Sequence, residues 1–158
     1  MNVRIRAVTA EDYDRLCPLF EEVDRLHRRR LPDRFRSPEG TPRPREDLLR
    51  LIGDPEVGLF AAEVDGRCAG CVHVALARTP DSPVYVPCRY ALIDEVVVAS
   101  AFRHQGIGRA LMEHAHSWAR SKGAARIELN VYEFNSAAIR LYRRMGYADL
   151  RRTMSMRL

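Results

Sequence analysis

A chain of 158 residues, 46% hydrophobic and 30% charged, has the length of one domain over residues 1–158 with a single core, and no room for a second. No run approaches the roughly 18 apolar residues that cross a bilayer, and Met1-Asn2-Val3-Arg4-Ile5-Arg6 lacks the apolar core of a secretory leader, so cytoplasmic residence is expected, with no membrane partner. The positive charge behind the net +5 is nearly all arginine; the runs Arg28-Arg29-Arg30 and Arg143-Arg144 are too short and too mixed with acids for a nucleic-acid surface, the first reading as a solvated face and the second as a helper for a cofactor phosphate.

Val3 to Val8 alternates apolar and basic residues and reads as an edge-like first strand. Thr9 with Asp12 three residues on resembles a capping box, opening a helix through Leu16, Leu19, Phe20, Val23 and Leu26. Leu31 to Pro44 is an aperiodic loop rich in Pro, Arg and Ser, and a short helix from Arg45 to Ile52 stops at Gly53. Val57 to Val64 and Arg67 to Ala77 flank Asp65-Gly66, a strong hairpin signal. In the second arm Cys68 and Cys71 lie three apart, which alternation sends to opposite faces; with no second pair, they read as free thiols and no metal site is expected.

After the proline-containing loop Thr79 to Pro87, Arg89 to Val98 reads as a strand and Gly106 to Ser121 as a helix stopped by Lys122-Gly123. Arg126 to Tyr132 is a strand, Asn135 to Arg144 a helix, and Tyr147 to Leu158 a final β segment, whole or split. The order β-α-α-β-β-β-α-β-α-β predicts an α/β architecture: a mixed, mostly antiparallel sheet with helices on both faces.

The passage from Val96-Val97-Val98 through Gly106 and Gly108 into an apolar-periodic helix is built for phosphate. Glycines let the backbone bend and let an anion reach the free amides that open the helix, where the dipole adds positive charge. A Walker loop needs Gly-Lys-Ser/Thr, and the only lysine is Lys122; a dinucleotide fingerprint needs a glycine where Leu111 stands. What remains, Arg103-x-x-Gly106-x-Gly108, resembles the Arg/Gln-x-x-Gly-x-Gly/Ala acyl-CoA loop of the GNAT superfamily of N-acetyltransferases. Downstream, Asn135, Ala138, Leu141, Tyr142, Gly146 and Tyr147 resemble that family's second cofactor motif. The resemblance spans essentially the whole chain. It implies the GNAT-like acyl-CoA N-acyltransferase fold and an acetyl-CoA-dependent N-acetyltransferase that works through a ternary complex, without metal or covalent enzyme intermediate.

The resemblance also implies roles. The strand backbone at Val96, Val97 and Val98 would pair with the pantetheine arm, and the amides of His104, Gln105, Gly106, Ile107, Gly108 and Arg109 would hold the pyrophosphate. Arg103 would fix the turn or reach a phosphate, Asn135 would cap its helix beside Ala138, and Asn130 is a further cofactor contact. Tyr142 is the expected general acid for the coenzyme A thiolate, since a phenol keeps its proton at neutral pH. Glu95 is the expected base; alternation turns Asp94 to the other face. His114 and His116 point in different directions on a helix and read as surface residues, His104 as an exposed loop residue, and His27 and His73 lack a nameable partner.

The resemblance further implies that acceptor recognition falls to Phe20 to Pro44 and Arg78 to Cys88, where Phe35, Tyr85 and Tyr90 could serve as walls and Glu21, Glu22 and Asp24 as attractors of an amine. The acceptor is a small-molecule or a protein or peptide amine, and the arginine-rich loop also suits one carrying a carboxylate or phosphate. A non-catalytic acyl-CoA-binding or regulatory module is the competing class, and a homodimer is the expected assembly.

Overall fold

The computed structural model describes residues 2–158. Strands β1 (Val3–Ala7), β2 (Val57–Val64), β3 (Arg67–Arg78), β4 (Arg89–Val98) and β5 (Ile127–Leu129) form one sheet in that spatial order. Neighbours pair antiparallel except β4 and β5, which are parallel. That pair needs a crossover, and helix α3 (Ile107–Ser121) supplies it. The β2–β3 turn has Asp65 at φ +49° and Gly66 at φ +75°, both central residues in the left-handed region that a two-residue hairpin of this twist requires.

Helices cover both faces, as expected. On one, Leu111, Met112 and Ala115 of α3 pack on Val72, Val74, Ala91 and Ile93, joined by Tyr142 and Met145 from the end of α4 (Ser136–Arg144). On the other, Leu16 and Leu19 of α1 (Tyr13–Arg30) and Leu48 of α2 (Arg45–Gly53) pack on Leu59, Ala61, Cys71 and Val97. A 3₁₀ turn, Ala10–Asp12, precedes α1. There the Asp12 carboxylate accepts from the Thr9 amide at 2.9 Å and from both guanidinium nitrogens of Arg6 at 2.7 Å, and Arg6 also reaches Glu63 at 2.6 Å. Beyond α3, Lys122 Nζ donates to the Pro55 carbonyl at 3.0 Å and lies over the Trp118 ring.

Two bulges reset the alternation that the sequence alone suggests. Ala62 pairs with Gly70 but Glu63 with Cys68, leaving Ala69 extra. The extra residue restores phase, so Cys68 and Cys71 pack on the same α1-side cluster rather than on opposite faces. Likewise Val74 pairs with Ile93 but His73 with Glu95, leaving Asp94 extra. Asp94 Oδ2 then lies 3.6 Å from His73 Nδ1, on the face of Glu95 rather than away from it. Where β3 passes β4, a Cβ on Gly70 would stand 2.5 Å from the Val97 carbonyl oxygen, so only glycine permits this register.

The final β segment is also corrected: residues 147–158 form no strand, and β5 covers three residues rather than Arg126 to Tyr132. Met154, Met156 and Leu158 do alternate, but a strand exists only where a ladder partner takes its backbone groups, and none pairs with them among the described residues. Side chains hold the tail instead: Arg34 donates to Ser155 at 2.8 Å and Arg157 to Asp33 at 3.3 Å.

Candidate functional site

The sheet parts at its β4–β5 boundary. Pairing with β5 ends at Ile93 opposite Leu129, while β4 continues along β3 through Val96, Val97 and Val98. The β5-side edge of residues 94–98 is therefore open, apart from the Val98 carbonyl, which accepts from Arg103 Nε at 3.0 Å. The turn that follows is fastened to α1: Glu22 accepts from the Ser100 amide at 3.1 Å and from Arg103 at 3.0 Å. Arg103 thus bonds to both the end of β4 and α1.

His104 at φ +62° and Gly106 at φ +83° then curl the chain into α3. The Ala110 amide is the first to bond back, to the Gly106 carbonyl at 3.0 Å; the amides of residues 104–109 have no acceptor among the described residues. The two glycines serve differently. Gly106 needs its positive φ, whereas a Cβ on Gly108 would meet Leu141 Cδ2 at 3.5 Å and Val98 Cγ2 at 3.6 Å, ordinary contacts. Those distances also show that the end of β4, the start of α3 and helix α4 converge at Gly108.

Asn135 caps α4, its Oδ1 accepting from the Ala138 amide at 3.3 Å. Asn130 is exposed just past β5. Tyr142, next to Leu141, is half-buried, and burial raises its phenol pKa, keeping the proton on oxygen. Its ring lies 5.8 Å from that of Tyr147, whose hydroxyl meets His116 Nε2 at 2.8 Å. His114 packs at 4.4 Å on Phe60, so neither helix histidine is the surface residue expected.

On the α1 side, Arg43 from the loop before α2 binds both Asp24 oxygens, at 2.5 and 3.1 Å, and Glu95 at 3.2 Å, with its guanidinium 4.6 Å from the Phe20 ring centroid. Burial raises the Glu95 carboxyl pKa while Arg43 opposes it. Opposite Glu95 stands His73, whose buried Nε2 has no hydrogen-bond partner and whose pKa burial lowers against the pull of Asp94. Sequence reading missed both partners: Arg43 lies in an aperiodic loop, and the His73–Asp94 contact depends on a bulge without a local signature.

A cleft of about 340 Å³ opens beside Arg43, lined by Asp24, Arg28, Phe35 and Arg36 with Pro38 and Pro42. Phe35 stacks on His27 at 5.0 Å and meets Tyr132 edge-on, and Tyr132 stacks on Phe134. The expected acidic attractors are engaged: Glu21 by Arg28, Glu22 by the turn and Asp24 by Arg43. Of the expected walls only Phe35 lines this cleft; Tyr90 lies under Arg126 and Tyr85 is exposed. No helix among the described residues is long and apolar enough to cross a membrane.

Residues 20–147 match the family described as the acetyltransferase (GNAT) family. Streptothricin acetyltransferase of Streptomyces lavendulae is 48% identical over 101 residues, 60% of this chain and 51% of that protein, so the match spans about half of that relative's length. An IAA acetyltransferase of Azospirillum brasilense is 27% identical over 138 residues, 86% of this chain and 78% of that protein. The fold is shared with the BH1408 protein of Bacillus halodurans, with a TM-score of 0.93 at 24% identity over 98% of this chain and 99% of that one. It is shared too with aminoglycoside N-acetyltransferase AAC(6')-Iy, solved in complex with CoA, with a TM-score of 0.73 at 14% identity over 98% of each chain.

Proposed function

Because the chain belongs to the acetyltransferase (GNAT) family, we propose that it moves the acetyl group of acetyl-CoA to the primary amine of a small molecule by direct attack, with both substrates bound. The observation that carries this reading is the open edge of β4 leading straight into a run of amides without acceptors. An extended pantetheine arm has amides that can pair with such an edge as a strand would, and a pyrophosphate suits helix-opening N–H groups. The residues present fit acetyl-CoA on those grounds.

In this reading Val96, Val97 and Val98 offer backbone partners to the arm, and the amides from His104 to Arg109 cradle the phosphates. Arg103 and Glu22 keep that cradle in shape. Asn135 and Ala138 set the start of α4, and Asn130 borders the same opening. When bound, acetyl-CoA supplies an acyl thioester already activated for attack. Glu95 draws the proton from the attacking amine through water, which its burial-raised pKa favours. Tyr142, protonated at neutral pH, gives the departing thiolate its proton.

The test is amine-dependent release of the CoA thiol across a panel of small amines, with initial rates measured against both substrates. Intersecting rate patterns and an unchanged protein mass after incubation with acetyl-CoA alone are expected. Parallel patterns with an acetyl group left on the protein would overturn direct attack, and thiol release without any amine would overturn acetyl transfer to an acceptor.

A further inference from the structure

The charged side chains of the cleft beside Glu95 differ in what they have left to give. Arg43 is the most engaged: three of its five N–H donors are used, two on Asp24 and one on Glu95. Arg28 is only partly occupied. Its side chain is 19% exposed and its guanidinium is held by one bond, to Glu21 at 2.6 Å, which leaves most of its five N–H donors unused. Arg36 lines the same cleft and makes no ion pair among the described residues. The lining therefore has one acid, Asp24, already neutralised, and two arginines with donors to spare.

From this bookkeeping we propose that Arg28 and Arg36 form a carboxylate clamp, and that the acceptor is an amine which also carries a carboxylate, of the amino-acid class. The inference rests on the acetyl-transfer reading of the site and names the acceptor that reading leaves open. Arg43 lines the cleft and bonds to Glu95 at 3.2 Å, so an amine held in the cleft lies next to the arginine that adjoins the carboxylate on β4. The carboxylate then meets Arg28 and Arg36, and a guanidinium fork matches the two oxygens of that group in geometry as well as charge. Phe35, braced by His27 and Tyr132, gives the side chain of such an acceptor a flat apolar wall. A purely cationic amine would instead face two unsatisfied like charges, a penalty that selects against it.

Matched pairs that differ only in the carboxylate test this: tyrosine with tyramine, lysine with cadaverine, histidine with histamine. Each is assayed for kcat/KM by CoA thiol release at saturating acetyl-CoA. The expected result is a preference of about tenfold or more for the carboxylate-bearing member of at least one pair, equivalent to about 1.4 kcal/mol. That preference should fall toward unity in Arg36→Ala and partly return in Arg36→Lys. Arg36 is exposed on a loop, so the variants are expected to fold. Decarboxylated members turned over as well or better in every pair would overturn the clamp. So would an Arg36→Ala effect confined to KM for acetyl-CoA and equal for both members of a pair, because the arginine would then serve the donor. Turnover of amines outside the panel with none of the six accepted also overturns it. No thiol release with any amine overturns the acetyl-transfer reading itself, and the clamp with it.

Discussion

Replacing Asp12 by Asn probes how α1, which carries Glu22 and Asp24 to the site, is fastened to the sheet. The Asp12 residue is 3% exposed and its carboxylate accepts a two-pronged bond from Arg6, which also binds Glu63. The Arg6 guanidinium holds the Asp12 carboxyl down from its ordinary 3.8 to about 2, working against the cost of burial. At 1.36 kcal/mol per pH unit, that depression contributes about 2.5 kcal/mol of stability at neutral pH. The group's pKa is lowered on folding, so this contribution is complete above about pH 5 and is lost as the pH falls through 3.8 toward 2. Asp12→Asn is therefore expected to be about 2–3 kcal/mol less stable at pH 7, a fall of about 5–10 °C in Tm for a domain of this size. Urea unfolding followed by circular dichroism at pH 7, 5, 4, 3 and 2 should show the gap between the two proteins closing toward zero at the acid end. A gap of constant size across that range would refute the electrostatic account and leave lost packing as the cause.

Tyr142→Phe should lower kcat about a hundredfold, within the range of a lost general acid, with an unchanged melting curve; wild-type kcat would remove the tyrosine from the chemistry. Because burial raises the Glu95 carboxyl above its ordinary 4.5, wild-type kcat/KM should rise with pH as that group ionises. Glu95→Gln should flatten this acid-side limb, and an inflection surviving in the variant would assign it to another group. Gly106→Ala, forced to hold φ +83°, should lose about 1 kcal/mol or more of stability, while Gly108→Ala, with only ordinary contacts in reach, should melt like the parent. Equal losses at the two positions would show that the turn geometry is misread.

Local signals made much of this molecule legible. The Asp65-Gly66 turn, the Thr9–Asp12 cap, the glycine that ends α3 and the Asn135 cap each rest on the chemistry of a few adjacent residues, and each forms as read. The run of free amides followed from the glycine-spaced turn at Gly106 and Gly108 opening a helix, although the positive φ of His104 beside it had no such signal. The bulges were not legible, because an extra residue in a strand leaves the composition unchanged and shows only in which partner it faces. Gly70 is the one trace of the first, and Asp94 leaves none of the second. The Arg43 bridge between Asp24 and Glu95 joins three segments far apart in sequence, so no window of residues contains it. The tail failed for the opposite reason: its apolar alternation is real, but hydrogen-bond partners for its backbone are not a property of the tail.

The lone lysine has a practical consequence. Lys122 is the single lysine ε-amine in the sequence, and it sits at the end of α3 opposite the glycine turn. A helix of 15 residues is about 22 Å long, so a fluorophore or surface tether attached there stands well away from the cradle. Lysine-directed reagents thus have one side-chain amine target on this protein, although its positive charge is high. Any stable amide formed on a side chain by an amine-reactive reagent is confined to one nameable position, resolvable by a single peptide in a digest.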